Sequence, residues 1–108
     1  MSKEIIEFYA TDGAILNGYL NKGENNTKVL IEIHGMTGNC LKKREEIIAS
    51  EVEEIGIDTI CFNTRGSDVV RYLKFNDGNK VLAGTAYEDV KDSYYDILGA
   101  IKYALKLG

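Results

Sequence analysis

Residues 3–9, KEIIEFY, and 15–20, ILNGYL, are two apolar-rich runs on either side of the turn signal Thr11-Asp12-Gly13. Two such runs with a turn tripeptide between them predict an antiparallel β-hairpin. A second polar turn, KGENNT, leads to residues 28–34, KVLIEIH, a mainly β-branched run of the kind that parallel sheets bury on both faces. Glu32 interrupts that run and calls for either water at the strand end or a donor partner. Residues 41–56, LKKREEIIASEVEEIG, set Leu41, Ile47, Ile48, Val52 and Ile55 near one helical stripe ending at Gly56. Residues 57–63, IDTICFN, follow as a short β-rich run, so strand, helix and strand form a right-handed crossover between parallel strands.

Within residues 64–84, YLKF and KVL surround Asn76-Asp77-Gly78-Asn79, which predicts a small surface hairpin. Thr85 and Glu88 have the spacing of a capping box, in which hydroxyl and carboxylate each satisfy an orphan amide at a helix start. The helix expected from there carries Val90, Tyr94, Ile97, Leu98, Ile101 and Leu105 at helical spacing and stops at Gly108. The fold class is therefore α/β, and residues 1–108 are expected to form one domain.

Composition narrows the function more than the fold. A net charge of -4, without a basic block, removes the attraction that nucleic acid or an anionic membrane would need. The start, MSKEIIEFYA, lacks the apolar core of a signal peptide and no stretch is long enough to span a membrane, so a cytoplasmic location is expected. Cys40 and Cys61 lie in or beside apolar segments and read as free packing thiols, with a disulfide or metal pair as the lesser reading. No cofactor or metal is implied.

The segment IHGMTGN turns sharply after the third strand, at the carboxyl end of a parallel sheet, where ligands bind in open α/β folds. Together with FNTRGSD after the fourth strand and GTAYEDVKDSYYDILGAIKYALKLG as the last helix, it resembles the alpha/beta-hydrolase superfamily along the whole chain. The resemblance implies the amino-terminal part of a three-layer sandwich with about four strands in the order 1-2-4-3, the first pair antiparallel and the rest parallel, with two main helices. It also implies that the Met36 backbone amide is an oxyanion donor, in a turn that Gly35 permits, and such donors are worth roughly 3–4 kcal/mol in the transition state. His34, Gly38, Arg65 and Gly66 are implied to organise the surrounding loops.

Two departures accompany the likeness: Asn63 stands where Asp is more common, and Ser67-Asp68 replaces small residues. The family's nucleophile sits on a Gly-x-Ser-x-Gly elbow, followed by an acid and a histidine. None of Ser2, Ser50, Ser67 or Ser93 has that context, and His34, the single histidine, belongs to the turn.

The expected function is thus the amino-terminal portion of a serine hydrolase of the esterase type, acting in its full-length form on a small acyl-containing substrate through an ester, thioester or related bond. The chain alone is expected to be inactive. Two alternatives are a small anion- or phosphate-binding α/β module using the glycine turn, and a subunit completing another chain's active site. With its last strand at the sheet edge, the chain is also expected to self-associate as a homodimer or larger assembly, through the third strand or the final helix.

Overall fold

Strand β1 (Ser2–Tyr9) turns at Thr11-Asp12-Gly13 into β2 (Ile15–Lys22), the two pairing antiparallel from Ser2↔Lys22 to Tyr9↔Ile15. The computed structural model describes residues 2–24, 26–35, 38–87 and 90–107. Strand β3 (Val29–Ile33), helix α1 (Lys43–Glu53) and strand β4 (Asp58–Phe62) form the expected crossover, with β3 and β4 parallel from Val29↔Asp58 to Ile33↔Phe62. The sheet order is β1-β2-β4-β3. A hairpin of β5 (Arg71–Lys74) and β6 (Lys80–Ala83) stands apart as a two-stranded sheet, tied back where Phe75 bridges Ala14.

One pairing differs from expectation. Strands β2 and β4 are antiparallel, Gly18 facing Phe62 and Asn21 facing Thr59, so among the described residues parallel pairing is confined to β3–β4. The reason lies in the short link between Lys22 and Val29: parallel strands need a crossover of a dozen or more residues, and a link this short must reverse the chain. Strand β3 therefore runs against β2, and β4, parallel to β3, does so too.

Side-chain alternation sorts the sheet into two faces. Ile6, Phe8, Leu16, Leu20, Ile60 and Phe62 line one face and bury the main core. Phe8 meets Phe62 edge-on at 5.2 Å and stacks on Tyr103 at 5.4 Å, which brings the last helix, α2 (Ser93–Lys106), against this face. On the opposite face Tyr19 and Cys61 pack with Cys40, and Asn21 reaches Glu53 of α1. Helices on both faces make three layers. Among the described residues no helix is long and apolar enough to cross a membrane.

Both helices present a different face from the one their apolar spacing suggested. Helix α1 buries Glu45 and Ala49, whereas Ile47 and Ile48 are exposed, and Leu41 and Ile55 beyond its ends are more so. Helix α2 buries Asp96, Gly99 and Ala100, leaving Tyr94, Ile101 and Leu105 toward solvent. The close approach of α2 to the β1–β2 hairpin decides the second case. A Cβ on Gly99 would stand 2.4 Å from the Tyr9 carbonyl oxygen, so only glycine fits that seam without the backbone moving.

The last helix also starts later than the capping box implied. Thr85–Tyr87 and Val90–Asp92 are short 3-10 turns, and α2 begins at Ser93. The Thr85 hydroxyl donates to the Gly66 carbonyl at 3.0 Å, a tertiary bond, and Glu88, the other half of the expected capping box, lies outside the described residues.

Candidate functional site

The carboxyl ends of β3 and β4 lie side by side, and the residues just beyond them are joined by His34. The Thr64 amide donates to His34 Nε2 at 3.1 Å, with Thr64 Oγ1 at the same distance. Because an amide can only donate, Nε2 is the acceptor, the ring proton sits on Nδ1, and Nδ1 donates to the Gly35 carbonyl at 2.9 Å. Both ring nitrogens are engaged and the residue is buried, so no face of the imidazole is left to act as a base.

The turn after His34 is closed by Gly38 N–H donating to the Gly35 carbonyl at 3.0 Å. Gly38 is the tight position, since a Cβ there would stand 3.0 Å from that same oxygen. Gly35, expected to permit the turn, is exposed, with nothing within 4 Å of a Cβ position. Its φ lies outside the left-handed region. Met36, the expected donor, and Thr37 lie outside the described residues.

Arg65 is the electrostatic centre of the neighbouring loop. Its Nε and Nη2 donate to Asp96 Oδ1 at 2.9 and 2.7 Å, and its backbone amide donates to Asp96 Oδ2 at 2.8 Å. Nη1 and Nη2 fork onto Asp12 Oδ2 and Oδ1, both at 2.8 Å, and the guanidinium lies 5.7 Å from the Tyr95 ring centre. Burial alone would lower the arginine's pKa, but the bonds to the two carboxylates more than offset it and raise it. The same Arg65 bond holds Asp12 below the usual carboxylate range. One side chain thus fastens the β1–β2 turn, the loop after β4 and helix α2.

Gly66 is buried and contributes its carbonyl to Thr85. Ser67 is buried as well, and its Oγ accepts from Arg71 at 2.6 Å, with no base bonded to it among the described residues, which argues against a nucleophile. Asp68, at φ 59°, receives an amide hydrogen bond through its side chain from Asn39 and donates its own amide to the Gly38 carbonyl at 2.9 Å. Asn63 uses both ends of its amide: Oδ1 accepts from the Cys40 amide at 2.8 Å and Nδ2 donates to Asn17 Oδ1 at 3.1 Å. An aspartate could supply only the acceptor, so the departure at this position matches the neighbour present here.

Beneath the turn, Glu32 is buried in β3 and neither carboxylate oxygen meets a hydrogen-bond donor. Burial raises its pKa, the nearby Cys61 thiol opposes the rise without reaching hydrogen-bond geometry, and the Glu45 carboxylate adds to it. Among the described residues no group of three or more His, Cys, Asp or Glu side chains is arranged to hold a metal ion.

Sequence reasoning picked out His34, Gly38, Arg65 and Gly66 and missed their partners Thr64, Asp12 and Asp96. Asp96 carried a readable signal: a carboxylate one helical turn from Gly99 and Ala100 marks a small-residue face, and a buried acid there requires a cation. Asp12 read only as a turn former.

A crystal structure of the alpha/beta hydrolase GrgF from Penicillium sp. sh18 superposes on this chain with a TM-score of 0.59 at 23% identity. The fold is that of the alpha/beta hydrolases. The match covers 73% of this chain and 26% of that one, so the chain spans about a quarter of the length of that hydrolase. No family model matches the sequence, and no curated protein does. In this hydrolase-like fold the His34–Thr64 link and the Gly35–Gly38 turn occupy the carboxyl rim of the only parallel strand pair among the described residues, the rim at which open α/β sheets bind ligands.

Proposed function

We propose that this chain is the amino-terminal part of a serine hydrolase of the esterase type, contributing the oxyanion turn but neither nucleophile, acid nor base. The observation that carries the reading is the fastening of the Gly35–Gly38 turn to the end of β4 by His34, through the Thr64 amide at 3.1 Å and the Gly35 carbonyl at 2.9 Å. A turn held by a histidine of fixed tautomer is preorganised, and preorganised backbone donors are what a developing oxyanion needs. Met36 supplies that amide, while Arg65, clamped by Asp12 and Asp96, keeps the adjacent loop in place. The attacking serine belongs to a Gly-x-Ser-x-Gly elbow that this sequence does not contain.

The substrate class is a small molecule with an ester, thioester or related acyl bond. The same reading includes self-association: β3 is a sheet edge whose Ile33 is exposed, as are Ile101 and Leu105 of α2 on that side, and a second copy offers the same apolar strip.

The test uses a fluorophosphonate probe and p-nitrophenyl acetate. The chain alone should be neither labelled nor active, and ester turnover should appear on mixing with a carboxyl-terminal hydrolase segment that bears the elbow. Labelling of a serine in this chain, or failure of such segments to restore turnover while binding it, would overturn the reading.

A further inference from the structure

Cys40 and Cys61 sit together on the α1 side of the sheet, and neither is in a disulfide. Cys61, on β4, is wholly buried, and its thiol donates to the Cys40 carbonyl at 3.4 Å. Cys40, in the segment between the glycine turn and α1, is nearly as buried from bulk solvent but lines an open cavity of about 380 Å³ with Tyr19, Ile5 and Asn63. The two thiols act directly on each other: hydrogen bonding from Cys61 draws the Cys40 pKa down against burial, and Cys40 together with burial drives the Cys61 pKa up. Cys40 therefore borders a cavity wide enough for a small oxidant, and the Cys61 thiol stands against the Cys40 backbone with a proton to give.

We propose that Cys40 and Cys61 form a peroxide-oxidisable dithiol, in which Cys40 is the attacked sulfur, Cys61 resolves it, and an intramolecular disulfide ties β4 to the segment leading into α1. Hydrogen peroxide is the oxidant. The Cys40 thiolate attacks one peroxide oxygen, the S–O bond forms, the O–O bond breaks, and hydroxide leaves with the thiol proton as water. Cys40 is then a sulfenic acid. The Cys61 sulfur attacks the Cys40 sulfur, the S–S bond forms, the S–O bond breaks, and the hydroxyl leaves with the Cys61 proton as a second water. In sum two thiols are oxidised to one disulfide and one peroxide is reduced to two waters. The order follows from access, since the thiolate that meets the reagent reacts first. This site is independent of the hydrolase reading and survives its failure.

The experiment treats the reduced, folded protein with hydrogen peroxide, unfolds it in guanidinium chloride with iodoacetamide, and maps tryptic peptides without reductant. Both cysteines should become refractory to alkylation in parallel, with the peptide 29–42 linked to the peptide 45–65 within one chain. In Cys61→Ser the reaction should stop at Cys40 sulfenic acid, trapped by dimedone, and in Cys40→Ser the folded protein should leave Cys61 untouched. Two alkylatable thiols after peroxide, Cys40 driven to sulfinic acid beside a free Cys61, or linkage only between chains would each overturn the proposal. Should a serine variant not fold, the wild-type peptide map decides alone.

Discussion

The Thr64 amide donates to His34 Nε2 at 3.1 Å, across the carboxyl ends of two parallel strands. This single bond fixes which ring nitrogen carries the proton. Nitrogen-15 NMR of the chain's one histidine should show the Nδ1–H tautomer at neutral pH. His34→Ala should leave the buried Thr64 amide unpaired and cost about 1–3 kcal/mol in urea unfolding, the usual penalty for an orphaned buried donor. A spectrum dominated by the Nε2–H form would contradict the bonding pattern.

Arg65→Ala strips the wholly buried Asp96 of its cation. Breaking a buried pair from one side costs about 3–5 kcal/mol, and thermal or denaturant unfolding should register that loss. Arg65→Lys should recover only part of it, because a point charge cannot fork onto Asp12 while also meeting Asp96. Equal stability of the lysine variant and the wild type would show that charge alone matters here.

Two carboxylates should tilt the pH profile in opposite senses. Asp12 has its folded pKa lowered, first by the Arg65 hydrogen bond, so its contribution is present above the unfolded Asp value and fades as pH falls through the folded value. Glu32 has its folded pKa raised, first by burial, so stability is full below the unfolded Glu value and declines as pH rises through the folded one. Glu32→Gln should therefore stabilise the protein at neutral pH, by about 1 kcal/mol for a buried charge without a donor, and do little in acid. A destabilising effect at pH 7 would mean that the carboxylate has a partner.

Self-association should be visible by multi-angle light scattering at high concentration. Leu105→Glu, at a position 76% exposed, should shift the population toward monomer without changing the unfolding midpoint of the monomer. A strictly monomeric wild type at high concentration would remove this part of the reading.

The elements were legible because their signals are local. The hairpin turn at Thr11-Asp12-Gly13, the β-branched run of β3 and the surface hairpin around Asn76–Asn79 all depend on residues close in sequence. What escaped is set by tertiary contact. The rotation of α2 follows from its tight seam with Tyr9 and from the Arg65–Asp96 pair, not from its apolar stripe, and Thr85 donates its hydroxyl across to the Gly66 carbonyl, a partner far away in sequence. The direction of β2 relative to β4 was readable from the length of the link before β3. At the site, His34 and Arg65 stood out by residue type and position, whereas Thr64 and Asp12 have no distinguishing pattern until the chain is folded around them.

The seam between Gly99 and the Tyr9 carbonyl gives one hydrogen atom control over a neighbouring ion pair. Any larger group at position 99 would lever the helix outward, and Asp96, less than one turn away, would be dragged from the guanidinium that also grips the first turn of the chain. Loop order at this end of the sheet therefore depends on how thin the chain is where α2 lies against Tyr9 and Ala10.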